Sequence, residues 1–150
     1  MKDIMLKITG KTISARPVNP DDPENKNNTI EFVTQGKYSS RGGITRISYG
    51  ETELSGMEGC KTQITISGDK LKMQRSGVGL ANDTTMEFEK GKRYEGQYAT
   101  PYGNIGMEIL TNSIDLGDPK EANHKISIDY SLSLRGIVES RNKLEIEVLQ

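Results

Sequence analysis

Seven side chains in this 150-residue sequence have the types and spacing to do chemistry together: Arg75, Glu51, Glu53, Tyr49, Tyr98, Thr100 and Tyr130. Each falls in frame with apolar residues along an alternating run, which would turn it toward an interior. Arg75 follows Leu71 and Met73 at intervals of two, and a buried charge is costly unless it is paired. Glu51 and Glu53 share a face with Ile47 and Tyr49, so this strand offers the carboxylate that would pair with Arg75, provided Gly50 does not bulge the strand and change its frame. Tyr98, Thr100 and Tyr130 would add hydroxyls to the same interior. Two kinds of chemistry suit such a set. Arg75 could play a structural part, either forming an internal ion pair with a glutamate that fixes register or sitting near the barrel mouth and snorkelling to water. Alternatively, Arg75 could meet the anionic group of a small ligand.

Other reactive types are sparse. His124 is the only histidine and stands in a polar stretch. A multi-histidine metal site is therefore excluded, a Ser-His-Asp triad would depend on that one residue, and the expectation is a solvated loop residue. Cys60 is in frame with Thr62 and Ile64 and reads as a small packed residue. Asp21, Asp22 and Glu24 lack the spacing of a calcium loop. Gly77-Val78-Gly79 is too short for a nucleotide-binding fingerprint and reads as a hairpin. The expectation is no metal and no cofactor.

The elements that must position these residues are strands. Ile4, Leu6 and Ile8 alternate with Met5, Lys7 and Thr9, and Ile126, Ile128, Tyr130, Leu132 and Leu134 alternate with Ser127, Asp129, Ser131 and Ser133. Successive side chains on a strand point to opposite faces, so this spacing marks half-buried antiparallel strands. Turn chemistry cuts the chain into about ten such runs. Pro17, Pro20 and Pro23 break the first, leaving a polar loop over residues 16–28, and Gly42-Gly43 supplies the positive φ of a tight hairpin. Met86 and Phe88 lead through Lys90 to Lys92 into Tyr94 and Tyr98 as another hairpin. Past Ile105, Met107 and Ile109 the frame shifts before Ile114 and Leu116. Tight turns between successive strands make a meander. Closing a long meander removes its exposed edges, so the predicted fold is a single all-β domain over residues 1–150, an antiparallel up-and-down barrel of about eight to ten strands.

Composition narrows the function classes. The formal net charge is −1, with 20 basic and 21 acidic residues interspersed, so the clustered basic face of a nucleic-acid binder is missing. One cysteine cannot form an intrachain disulfide, which suits a reducing compartment. Lys7 interrupts the N-terminal apolar stretch, and no run of eighteen apolar residues occurs. The expectation is a cytoplasmic protein with no membrane and no nucleic-acid partner. With no Trp and only two Phe, the chain has few large groups to plug a barrel, and a partly open, wet interior is expected.

Several phrases carry a family resemblance: Ile47-Ser48-Tyr49-Gly50-Glu51-Thr52-Glu53, Lys61-Thr62-Gln63-Ile64-Thr65-Ile66, Met73-Gln74-Arg75-Ser76-Gly77, Tyr98-Ala99-Thr100-Pro101-Tyr102-Gly103 and Ile128-Asp129-Tyr130-Ser131-Leu132. In order and spacing they resemble the YwiB-like family of small bacterial β-barrel proteins, from about Thr29 to the C-terminus. The resemblance implies a calycin-like, lipocalin-like barrel of unknown function and carries over no functional residues. Three readings stay open. The lead is non-catalytic binding of a small anionic or amphipathic molecule in the lumen. The alternative is a protein-interaction module with a filled barrel, compatible with a homodimer. The third is a calycin-type enzyme acting on a small phenolic acid through an arginine, a carboxylate and tyrosines, an analogy at fold level.

Overall fold

The computed structural model describes residues 2–14, 28–51, 59–77, 84–100, 103–121, 123–135 and 138–149. Ten strands run in chain order: β1 (Lys2–Ser14), β2 (Asn28–Arg41), β3 (Ile44–Gly50), β4 (Cys60–Ser67), β5 (Lys70–Gly77), β6 (Thr84–Glu89), β7 (Arg93–Thr100), β8 (Gly103–Asp115), β9 (Lys125–Leu134) and β10 (Val138–Leu149). They form one antiparallel sheet in the order β6-β5-β4-β3-β2-β1-β10-β9-β8-β7. Every hydrogen-bonded neighbour is a sequence neighbour except β1 and β10, which zip the two chain ends together from Met5↔Leu149 to Ser14↔Ser140. The result is a nearly closed up-and-down barrel. Among the described residues there is no helix, and hence none long and apolar enough to cross a membrane.

The predicted alternation accounts for the core. Leu6 and Ile8 of β1, Ile47 of β3, Ile64 of β4, Leu71 of β5, Ile126 of β9 and Ile146 of β10 all turn inward and are buried, because the period of two commits each strand's apolar set to one face. Gly42 and Gly43 adopt φ of 61° and 79° in the β2–β3 turn, as the two-residue hairpin requires. The frame shift in β8 is real. Thr111 pairs with Tyr130 and Ser113 with Asp129, leaving Asn112 as the extra residue of a bulge, which returns Ile114 and Leu116 to the core side.

Two expectations are corrected. The tight turn after Glu89 does not start a β6–β7 ladder, although the two strands pack together. Its backbone bonds go elsewhere: Lys92 N–H donates to Glu89 C=O at 2.9 Å, Gly91 N–H to Thr111 C=O at 3.0 Å, and Thr111 N–H to Lys92 C=O at 3.3 Å. A seam therefore separates β6 from β7. His124 is not a solvated loop residue. It is 1% exposed and plugs the barrel end that holds the β2–β3 turn, with Nε2–H donating to Leu116 C=O at 2.6 Å and Nδ1 2.9 Å from the Tyr38 hydroxyl. The carbonyl can only accept, so Nε2 carries a proton. Gly117, at φ +66°, lies so close that a Cβ there would sit 2.9 Å from the His124 ring.

All of the loop predicted over residues 16–28 except Asn28, which starts β2, lies outside the described residues, and so do Asp21, Asp22 and Glu24 and most of Gly77-Val78-Gly79.

Candidate functional site

At the end of the barrel opposite His124, the inward faces of the strands leave a cavity of about 230 Å³. Its apolar lining includes Ile8, Phe32, Met73, Phe88 and Leu144, and its polar lining is Tyr49, Glu51, Arg75, Tyr98 and Tyr130. The remaining interior is filled mainly by aliphatic side chains, with Tyr38 among them. The partly open interior expected from the composition is thus a cavity at one end of the barrel.

The polar cluster grows out of three adjacent strands. β3 ends at Gly50, and Glu51 stays in register because its N–H donates to Cys60 C=O at 2.8 Å. Its side chain, 2% exposed, points into the barrel. Thr62 on β4 stands opposite both Tyr49 on β3 and Arg75 on β5, so it sits between the acid and the base. Thr62 Oγ1–H donates to Glu51 Oε1 at 2.5 Å, while Arg75 reaches Thr62 Oγ1 with Nε at 3.4 Å and Glu51 Oε1 with Nη2 at 3.4 Å. Both arginine contacts are long and neither is bidentate. A guanidinium has five N–H donors, and these contacts use two of them. Its side chain is 17% exposed and lines the cavity.

Phenols surround the ion pair. Tyr49 is buried beside Glu51 and Thr62. Burial, then the adjacent carboxylate, push its pKa well above the ordinary tyrosine range, against the pull of Arg75. Tyr130 is also raised by burial, with Arg75 opposing. Its ring meets Phe88 edge-on, centroids 4.9 Å apart. Both phenols are kept neutral, as donors rather than anions.

Of the seven residues picked from sequence, five line this one cavity: Tyr49, Glu51, Arg75, Tyr98 and Tyr130. Glu53 and the Thr100 side chain lie outside the described residues. Two contributors were passed over. Thr62 falls in frame with Ile64 and Ile66, a signal of the kind that singled out Arg75. Gly10 also lines the cavity and follows Leu6 and Ile8 at intervals of two, where a core side chain would be expected. Among the described residues, no three Cys, His, Asp or Glu gather as a metal site, and Cys60 is a buried free thiol.

Residues 17–146 match the family model described as Domain of unknown function (DUF1934). The structure resembles the crystal structure of the ywiB protein from Bacillus subtilis, with a TM-score of 0.73 and 21% identity over 98% of this chain and 92% of that one. That likeness is one of fold. A comparison with curated proteins gives no match.

Proposed function

The chain belongs to the family described as Domain of unknown function (DUF1934), and on that premise we propose that it binds a small amphipathic carboxylate in the open end of its barrel, without transforming it. The observation that carries this reading is Arg75, held in a mostly apolar cavity by two long bonds that, among the described residues, leave three of its five N–H donors unused. A planar carboxylate matches the free edge of a guanidinium, and such bonds are strong where water is scarce. Tyr98 and Tyr130 can donate to the same head group, while Ile8, Phe32, Met73 and Phe88 suit an apolar body.

Size limits the ligand. A 150 Å³ apolar cavity holds benzene, so scaling to 230 Å³ gives roughly nine non-hydrogen atoms. Benzoate and medium-chain fatty acids are of that size. A thermal-shift panel of such carboxylates against the matching alcohols tests the reading. A carboxylate at a hundred times its Kd stabilises by about 2.7 kcal/mol, roughly 5 to 10 °C at this chain length. Equal shifts from alcohols and carboxylates, or none from either, would count against an Arg75 site. The buried free thiol of Cys60 suits the reducing cytoplasm in which such a protein would work.

A second reading is favoured by one fact, that an arginine, a carboxylate and tyrosines meet in a single cavity. An enzyme on a phenolic acid could use Glu51 for proton transfer while Arg75 holds the substrate carboxylate. Release of carbon dioxide from a hydroxycinnamate, abolished by Glu51→Gln, would establish it, whereas the binding reading predicts no product. The interaction-module alternative expects a filled barrel and draws no support from the open end.

A further inference from the structure

Two glycines face the interior on neighbouring strands, and they differ in what lies over them. Gly36 on β2 is covered: a Cβ there would come within 2.7 Å of both Leu6 Cδ1 and Ser48 C=O. Gly10 on β1 is not, for a Cβ there would meet nothing within 4 Å. Its register partners are Ile30 on β2 and Leu144 on β10, both lining the cavity. Glycine inside a strand costs backbone entropy and forgoes packing, and it marks a place where a backbone or a ligand approaches closely. Among the described residues no backbone does so here.

We infer that Gly10 is the specificity-determining residue of the lumen, leaving room for the apolar body of a carboxylate whose head group is on Arg75, and so setting how long that body can be. The inference rests on the carboxylate reading above. Gly10 has no positive φ among the glycines of β1 to require its retention, so a side chain can be accepted without backbone strain. Each carbon added at Gly10 takes the place of one in the ligand, because a cavity of fixed walls holds a fixed volume.

The test uses the full chain with saturated straight-chain carboxylates from butanoate to decanoate, their affinities measured by calorimetry on wild type, Gly10→Ala and Gly10→Val. Wild type should show a preferred length. It should shorten by about one carbon in the alanine variant and about three in the valine variant, with at least a tenfold loss for the wild-type favourite in Gly10→Val. Without ligand, Gly10→Val should raise the thermal midpoint, since it fills space. Wild-type binding with the same length profile in both variants would overturn the role of Gly10 and leave the carboxylate reading standing. A lowered midpoint for unliganded Gly10→Val would also overturn it, by showing the space to be absent. No binding of any member by wild type would overturn both.

Discussion

Arg75 and Glu51 face each other across β4 through a single Nη2–Oε1 contact of 3.4 Å, while the hydroxyl of Thr62, on the strand between them, donates to the same carboxylate oxygen at 2.5 Å. The acid is thus held more closely by a neutral hydroxyl than by its ion partner. Glu51 keeps Arg75 from being a buried unpaired charge, yet does not saturate it. Among the described residues this ion pair leaves part of the guanidinium without a partner, and the proposed carboxylate site follows from that part.

Removing one member should cost more than removing both. Arg75→Met leaves Glu51 buried without its cation and should destabilise by about 2 kcal/mol, the scale for stranding a buried polar group. The double variant Arg75→Met/Glu51→Gln keeps the Thr62 bond and strands no charge, so it should recover most of that loss. Urea unfolding of the four members of the cycle measures the coupling.

Glu51→Gln alone should tighten carboxylate binding several-fold by removing a like charge beside the head group. Calorimetry with benzoate checks it, and weaker binding would mean that the glutamate itself contacts the ligand.

His124→Phe should lower stability by about 3 kcal/mol, because it removes two hydrogen bonds of a buried side chain, one to the Tyr38 hydroxyl and one to the Leu116 carbonyl. Thermal unfolding should show the midpoint falling by roughly 6 to 12 °C. Ligand affinity should hold at temperatures where the variant is folded, since His124 lies at the far end of the barrel.

Alkaline pH should unfold the chain through its buried phenols. Tyr49 and Tyr130 have folded pKa values raised above the ordinary value of 10.0. The folded state therefore holds protons that the unfolded state releases, so their stabilisation is complete below about pH 10 and is lost as pH climbs beyond it. Tyr49→Phe should flatten that decline. Ultraviolet titration of wild type should show the two phenols ionising late, together with unfolding.

Much of the barrel was legible because alternation, Gly42-Gly43 and the lost frame near Asn112 are local signals. The Arg75 cluster was legible for the same reason, since a charge in frame with Leu71 and Met73 must find a partner. His124 was not. Its partner Tyr38 is 86 residues away, and a polar stretch around a lone histidine gives no sign that barrel closure will bury it. The β6–β7 seam escaped too, since a short turn signals a hairpin and the competing bonds to Thr111 arise only once β8 is in place. Gly10 was hidden by its own character, for a glycine in a strand shows no side chain to be out of place.

Methionine methyl groups offer the most direct measurement of the central claim. Met73 and Met86 line the cavity, whereas Met5 is exposed on the outer face. In a methyl-labelled NMR titration with benzoate or octanoate, the signals of Met73 and Met86 should move in a saturable manner while that of Met5 stays in place. Unmoved Met73 and Met86 signals at saturating carboxylate, or movement of Met5 alone, would contradict binding in the lumen.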